Sequence, residues 1–252
     1  MKFSVCIDSV FRNIDPATAL EGVKEGGFDQ YEFWGWWNKD LDGLIKKARE
    51  LSLVCRAFCT RFIPLTDPAQ REAYLDGLKE TIETAKKFGV RIIITQIGAD
   101  TGARREFQHT SVVAGLKACA PILKENDMTL VIEPVNRRYE NPNTFCEFSD
   151  EGFEMLDETG SENVKLLFDT YHQQITEGDI INRSVARIKQ IGHFHAAGNP
   201  NRYELYDGEL NYKKVFAAIE AAGYQGFMGL EHKPTGNPVE GLKRIKEYVN
   251  QK

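Results

Sequence analysis

The sequence repeats one pattern eight times: a short run rich in β-forming residues precedes a longer segment with helical features. Successive predicted strands begin 28, 24, 37, 38, 35, 27 and 36 residues apart. A strand and its return helix need about thirty residues. The pattern therefore predicts an α/β fold, a closed (β/α)8 TIM barrel that forms a single domain over residues 1–252. The predicted strands cover residues 2–8, 30–35, 54–59, 91–98, 129–135, 164–170, 191–197 and 227–233.

Helix boundaries support this alternation. Asp15-Pro16 predicts a helix start that ends at Gly26-Gly27, and Asp67-Pro68 predicts another that ends at Gly89. The rival fold is an open doubly wound sheet. That fold is typically accompanied by a glycine-rich phosphate loop, and the sequence contains no G-x-G-x-x-G or Walker motif.

Composition limits the class of partner. The formal net charge is −5, which disfavours nucleic-acid binding. No stretch approaches the ~18 apolar residues of a membrane span, and no secretory signal is visible. Because the five cysteines show no disulfide or zinc spacing, we expect buried thiols in a cytoplasmic protein.

Ionisable side chains stand at the ends of the last four predicted strands. Glu133, Asp169, His195 and Glu231 are separated by 36, 26 and 36 residues, one βα unit each. One such residue alone is more often a helix cap or a surface ion partner. Four at matched strand ends should converge at the carboxyl mouth of the barrel. Three carboxylates and an imidazole suit a divalent ion such as Mn²⁺ or Mg²⁺.

Several motifs carry a family resemblance over essentially the whole chain. They are Glu133-Pro134-Val135-Asn136, Phe168 to His172, His193 to His195 with Asn199 to Arg202, Gly208 to Tyr212, and Gly229 to Pro234. With them the chain resembles the xylose isomerase-like TIM barrels, and within these the hydroxypyruvate isomerase-like proteins. The similarity is dense over residues 129–234 and weaker before residue 90.

The resemblance implies roles for particular residues. Glu133, Asp169, His195 and Glu231 correspond to the ligands of one divalent metal, and His172 and Arg202 to residues that contact substrate oxygens. It also implies a small sugar or hydroxy-keto-acid substrate and is compatible with a homo-oligomer. One position departs: hydroxypyruvate isomerases often have glutamine where this chain has His195, whereas histidine is more like the ketose 3-epimerases and related dehydratases.

The implied chemistry is proton transfer beside a carbonyl group. We hypothesise that Glu133 and Glu231 are the catalytic acid/base pair as well as metal ligands. Proton return to the neighbouring carbon gives an aldose–ketose isomerase, and return to the opposite face of the same carbon gives an epimerase. A dehydratase on the same site, an endonuclease IV-like repair enzyme and a non-catalytic ligand-binding barrel are the alternatives; the acidic charge disfavours the nuclease, and the filled ligand positions disfavour the last.

Other polar and aromatic residues carry weaker expectations. His193 is expected beside His195 as a supporting residue, and His232 as a satisfied histidine on the other face of its strand. Lys233 is expected to be solvated or salt-bridged, with a contact to a substrate oxygen as the alternative. Trp34, Trp36 and Trp37 follow the second predicted strand. We expect them either to form an aromatic wall for a sugar or to serve core packing or a subunit contact. Structural hydrogen bonds are expected for Asp8 and Gln96. Asn136, Arg137 and Arg138 begin the loop after the fifth strand, where a surface role and a contact of one of them with substrate are the alternatives. His109 has no partner visible in the sequence, and no role is assigned to Glu32.

Overall fold

A computed structural model describes residues 1–250 of the chain as a closed barrel. Eight strands pair in parallel in the order β1 to β8, and β1 closes the barrel against β8. The predicted α/β barrel is therefore confirmed. The strands are β1 Lys2–Cys6, β2 Gln30–Phe33, β3 Val54–Cys59, β4 Ile92–Thr95, β5 Thr129–Ile132, β6 Val164–Asp169, β7 Ile191–Ala196 and β8 Phe227–Leu230.

Helices surround the barrel and include short ones that the repeat did not predict, such as α1 and the pair α7 and α8. The α-helices are α1 Ile7–Val10, α2 Pro16–Glu25, α3 Leu41–Glu50, α4 Arg71–Phe88, α5 Arg105–Glu125, α6 Ser149–Thr159, α7 Thr170–Thr176, α8 Ile180–Ala186, α9 Tyr212–Ala221 and α10 Pro238–Asn250. No helix among residues 1–250 combines the length and apolarity that a membrane crossing requires.

Two predicted helix boundaries are confirmed in detail. The Asp15 carboxylate accepts a hydrogen bond from the Thr18 amide and caps α2. Helix α4 ends at Gly89, which adopts a left-handed conformation with φ of 68°.

Most strands are shorter at their carboxyl ends than predicted. Strand β1 ends at Cys6, where α1 begins, so Asp8 lies on a helix. Strands β5 and β8 end at Ile132 and Leu230, which leaves Glu133 and Glu231 just beyond the last sheet residue. These side chains therefore emerge at the rim of the barrel, where the backbone leaves the ladder and the loops begin.

Alternation along the strands separates the interior of the barrel from the layer beneath the helices. Leu130 and Ile132 of β5 belong to the large core cluster that packs against the helices. Val131, between them, packs with Leu167, Ile94 and Ala57 in a small separate cluster. Glu133 and Asp169 lie two residues after Val131 and Leu167 and share their inward direction. The polar site therefore lies directly above the apolar interior of the barrel.

Candidate metal-binding active site

The four predicted ligands converge at the carboxyl mouth of the barrel. Ligand atoms of Glu133, Asp169, His195 and Glu231 all lie within 4.8 Å of one another, and every one of these residues is buried. Nδ1 of His195 lies 3.2 Å from Oε2 of Glu231 and 3.8 Å from Oε1 of Glu133. Strands β5 to β8 thus bring together side chains that span almost a hundred residues of sequence.

The donor set fits a divalent cation. Both ring nitrogens of His195 are buried, and neither makes a hydrogen bond within residues 1–250. Buried polar atoms are normally satisfied, so an unpaired imidazole that faces carboxylates indicates a ligand position. Carboxylate oxygens with one imidazole are donors suited to Mn²⁺ or Mg²⁺.

The electrostatics of the cluster show an excess of buried negative charge. Burial raises the pKa of Asp169 to about 7, and the Glu231 carboxylate adds to this rise while Arg202 opposes it. Burial alone would lower the pKa of His195, but the carboxylates of Glu231 and Glu32 raise it well above the ordinary value. The site therefore favours an additional positive charge, which either a proton or a metal ion provides.

Two cysteines lie beside the cluster but are poor ligands. Burial, reinforced by the negative charge of Glu231, raises the pKa of the Cys6 thiol well above its ordinary value. Burial and Glu133 do the same for Cys59. Because the thiolate is the ligand form, these neutral thiols indicate an oxygen- and nitrogen-donor site. All five cysteines are free and buried, as expected.

Arg202 lies over the carboxylates and is itself buried. Its Nη2 pairs with Oε2 of Glu231 and lies 3.4 Å from Oδ2 of Asp169, and its Nε donates to the Glu231 carbonyl. Its Nη1 lies 3.5 Å from Oε2 of Glu140, a residue of the loop after β5. Arg202 therefore links the ligand cluster to the entrance of the site.

The hydrogen bonds around His172 fix which ring nitrogen carries its proton. The Tyr139 amide donates to Oδ1 of Asn136, which turns the Asn136 NH₂ group towards His172. That NH₂ lies 2.7 Å from Nδ1 of His172 and donates to it. The proton of the neutral ring therefore resides on Nε2, 3.4 Å from Oδ2 of Asp169. Burial lowers the pKa of His172 well below its ordinary value, and Arg202 lowers it further, so the ring is neutral.

A cavity of about 300 Å³ opens above these residues. Its size suits a substrate of a few carbon atoms rather than a polymer. The apolar side of the cavity comes from Trp34, Phe62 and Ile94. The polar side comes from three of the four cluster residues (all but Asp169) and from His172, Arg202 and Glu140.

A larger depression of about 1200 Å³ lies at the opposite end of the barrel. It is open to solvent and is lined by the starts of β4 to β7, including Ile92 and Val164. Its lining contains no histidine or cysteine within residues 1–250. Cavity volume alone would therefore place the active site at the wrong end of the barrel. The convergent ionisable side chains place it at the carboxyl end.

The three tryptophans have different environments. Nε1 of Trp34 donates to Oε1 of Glu231 at 2.5 Å, and its ring lines the cavity. Trp36 is buried and donates to Thr81, while Trp37 packs edge-on against Phe62. The aromatic wall is therefore formed by Trp34 with Phe62, and Trp36 belongs to the core.

Two of the three remaining residues near the site, His193 and Lys233, have the contacts that the sequence predicted, and His232 does not. Nε2 of His193 lies 3.0 Å from Oε2 of Glu32, beside His195. Lys233 pairs with Glu140 at 3.4 Å. His232 is fully buried, but neither ring nitrogen makes a hydrogen bond within residues 1–250, so the prediction of a satisfied histidine is wrong.

The loop and helix candidates have structural contacts. Asp8 accepts from the Trp34 amide and pairs with Lys39. Arg137 donates to the Thr144 carbonyl. Surface contacts hold Arg138 against Tyr139 and His109 against Glu158, and Gln96 lines the cavity.

Sequence reasoning missed the contributions of Glu32 and Glu140, and it did not predict the contact of Asn136 with His172. Glu32 carries a signal, because an acidic residue inside an apolar strand is costly unless it is paired. Glu140 and Asn136 belong to the loop after β5, and their contacts depend on a loop conformation that no local pattern predicts.

Comparison with known proteins places this geometry in a family. The xylose isomerase-like TIM barrel family matches residues 20–248. Hydroxypyruvate isomerase of Escherichia coli strain K12 is 28% identical over 98% of this chain and 99% of its own length. The 2-oxo-tetronate isomerase of Cupriavidus necator is 39% identical over 124 residues, 49% of this chain and 47% of its own length. A crystal structure described as AP endonuclease, family 2, from Brucella melitensis superimposes with a TM-score of 0.93 over 98% of both chains, at 22% identity, and so shows the fold alone. The chain therefore belongs to the xylose isomerase-like TIM barrel family.

Proposed function

We propose that this protein is a metal-dependent isomerase of a small sugar or hydroxy-keto acid of the hydroxypyruvate type. The observation that carries the proposal is the convergence of three buried carboxylates and one imidazole, with ligand atoms within 4.8 Å of one another, beneath a cavity of about 300 Å³. The names of the relatives, hydroxypyruvate isomerase and 2-oxo-tetronate isomerase, supply the substrate class.

Glu133, Asp169, His195 and Glu231 would hold one divalent cation, Mn²⁺ or Mg²⁺. When bound, such a cation supplies positive charge beside the oxygen on which negative charge develops. Asp169 is already oriented for this role, since its Oδ1 accepts from the Tyr171 amide and its Oδ2 faces the cluster.

Glu133 and Glu231 act as the acid/base pair in this proposal. One carboxylate removes a proton from the hydroxyl-bearing carbon, and the electron pair of that C–H bond forms the double bond of an enediolate. A proton is then delivered to the former carbonyl carbon, while the hydroxyl proton passes to the former carbonyl oxygen. The carbonyl group thereby moves by one carbon with no change in composition.

His172 supports this transfer as a neutral hydrogen-bond donor. Asn136 holds Nδ1 of His172, so Nε2–H is directed to the region of Asp169 and Glu133. A neutral imidazole donor stabilises negative charge on a substrate oxygen without adding a full positive charge to the site.

Arg202 and Lys233 favour a substrate that carries a carboxylate. Both cations face Glu140 at the entrance, with separations of 3.5 Å and 3.4 Å. A substrate carboxylate would be an equivalent partner for these cations, and Arg is well suited to bind it in a bidentate manner. This arrangement supports a hydroxy-keto acid over an uncharged ketose.

The proposal is tested with Mn²⁺-loaded protein in D₂O, incubated separately with hydroxypyruvate, a four-carbon 2-oxo acid and free ketoses. NMR then identifies the carbon whose proton exchanges. We expect exchange at the hydroxymethyl carbon of hydroxypyruvate with formation of the aldehyde isomer. No exchange with any compound in the panel would contradict the isomerase.

A second candidate, a ketose 3-epimerase or related dehydratase, is favoured by His195. An imidazole is present at the position where the resembled hydroxypyruvate isomerases often have glutamine. The same experiment separates the two activities, because an epimerase exchanges the proton at C3 of a ketose and inverts that centre, whereas a dehydratase releases water and leaves an additional carbonyl.

A further inference from the structure

A second buried polar cluster lies against the metal-site candidate, on the side of β1 and β2. Oε2 of Glu32 accepts from Oγ of Ser4 at 2.6 Å and lies 3.0 Å from Nε2 of His193. Oε1 of Glu32 lies 2.7 Å from Nε2 of His195. All four residues are at most 2% exposed, so these contacts are shielded from water and act at a low effective dielectric.

The backbone of β8 leaves room for the contact between Glu32 and His195. Gly229 lies opposite His195 in the ladder between β7 and β8. A Cβ atom at this position would lie 2.6 Å from Cδ2 of His195 and would also clash with Oε1 of Glu32. Any larger residue at 229 would therefore push the imidazole and the carboxylate apart.

The two nitrogens of His195 face different partners. Nδ1 faces Glu231 and Glu133 in the ligand cluster, at 3.2 Å and 3.8 Å. Nε2 faces Glu32 alone among these carboxylates. A histidine that binds a metal through one nitrogen commonly donates the other N–H to a carboxylate, which fixes the tautomer and the ring orientation.

We propose that Glu32 is a positioning residue that keeps the proton of His195 on Nε2 and directs the Nδ1 lone pair into the ligand cluster. The inference rests on the proposed metal site. Ser4 and His193 occupy Oε2 of Glu32, which leaves Oε1 for His195. A chain of polar contacts thus runs from Ser4 and His193 in the barrel wall, through Glu32, to His195 in the site.

A second metal ion held by Glu32, His193 and His195 is the competing interpretation of the same atoms. At about 2.1 Å from the metal, neighbouring ligands lie roughly 3.4 Å apart on a tetrahedral ion and roughly 3.0 Å apart on an octahedral ion. Nε2 of His193 makes a hydrogen bond to Oε2 of Glu32 at 3.0 Å, and Nε2 of His195 contacts Oε1 of Glu32 at 2.7 Å. The 2.7 Å contact is shorter than either spacing and therefore favours a direct contact of Glu32 with His195 over a metal ion between them.

The first test measures Mn²⁺ binding by electron paramagnetic resonance with the wild type, Glu32→Gln, Gly229→Ala, and the control Glu177→Gln. Glu177 is also a buried carboxylate, but it pairs with Arg183 and Ser149 in the helical layer. We expect one Mn²⁺ per chain in the wild type, an affinity about 10–100-fold lower in Glu32→Gln, and wild-type affinity in the control. Gly229→Ala should weaken binding in the same direction.

A double-mutant cycle and a spectroscopic measurement separate positioning from general destabilisation. In a His195→Gln background, Glu32→Gln should weaken Mn²⁺ binding by less than about 3-fold, because the residue it acts through is gone. In ¹⁵N-labelled wild type loaded with Mg²⁺, His195 should show a protonated Nε2 and an unprotonated Nδ1.

Distinct results overturn distinct claims. Unchanged Mn²⁺ affinity in Glu32→Gln, a protonated Nδ1 on His195, or two tightly bound Mn²⁺ ions per chain would each contradict the positioning role while leaving the isomerase intact. A wild type that binds no Mn²⁺ would contradict the proposed function itself. If Glu32→Gln fails to fold, the tautomer of the wild type still decides between the alternatives.

Discussion

The two halves of the barrel mouth differ in what they contribute to the site. The carboxyl ends of β5 to β8 position Glu133, Asp169, His195 and Glu231, whose side chains form the candidate ligand cluster. The first half contributes Glu32 and Trp34, which contact His195 and Glu231 instead. In the proposed mechanism, the second half provides the reactive atoms and the first half orients them, so substitutions in the two halves should have effects of different size.

The largest expected effect comes from the second half. Glu133→Gln and Glu231→Gln remove a candidate base and a metal ligand together, and should lower kcat by about 10²–10⁴-fold, the usual contribution of a positioned acid or base. Steady-state assays of hydroxypyruvate isomerisation at saturating Mn²⁺ provide the measurement. Activity within 3-fold of the wild type in both variants would show that the comparison between the halves is wrong.

A smaller effect is expected for Trp34→Phe in the first half. This change keeps an aromatic ring in the cavity but removes the hydrogen bond to Oε1 of Glu231. Hydrogen bonds to charged groups contribute about 1.5–3 kcal/mol, so kcat/KM should fall by about 10–100-fold. Trp36→Phe is the matched control, since its indole donates to Thr81 in the core and should alter stability without altering kcat. Equal losses of kcat/KM in Trp34→Phe and Trp36→Phe would show that the hydrogen bond to Glu231 has no specific role.

A third prediction concerns His232, which follows Glu231 just after the end of β8. Burial lowers the pKa of His232 to about 4, against a weaker opposing effect of Glu204. The folded-state pKa of His232 lies below its unfolded value. The contribution of neutral His232 to the free energy of unfolding is therefore complete above about pH 6.5 and is lost as the pH falls towards 4. Unfolding in urea should show a loss on the order of 2 kcal/mol across this window, and His232→Asn should flatten it. A wild-type pH dependence in His232→Asn would contradict this assignment.

The smallest expected effect is at the entrance. Lys233→Met removes one cation that faces Glu140, and should raise KM for hydroxypyruvate about 2–5-fold with little change in kcat, since an exposed ion pair contributes at most about 1 kcal/mol. Lys79→Met, at an exposed pair on α4, is the control. An equal rise in KM for an uncharged ketose would show that Lys233 does not recognise a carboxylate.

The sequence predicts the second half of the site better than the first. Glu133 and Asp169 follow apolar strands at βα spacing, so their convergence follows from the periodicity of the fold. The contact of Glu32 with His195 depends on the closure of the barrel and on the absence of a side chain at Gly229, neither of which a local pattern contains. Loop conformations equally determine the placement of Glu140 and Asn136. The motif resemblance assigned Arg202 to the substrate, but its buried pairing with Glu231 is visible only in three dimensions.

The central claim, that four strand-end side chains form one metal site, is tested most directly by counting bound Mn²⁺. Equilibrium dialysis of the wild type should give one Mn²⁺ per chain. Asp169→Asn removes a carboxylate without changing its size and should weaken that binding by at least about 10-fold, while Glu177→Gln should bind like the wild type. Equal Mn²⁺ affinity in the wild type and Asp169→Asn would contradict the account.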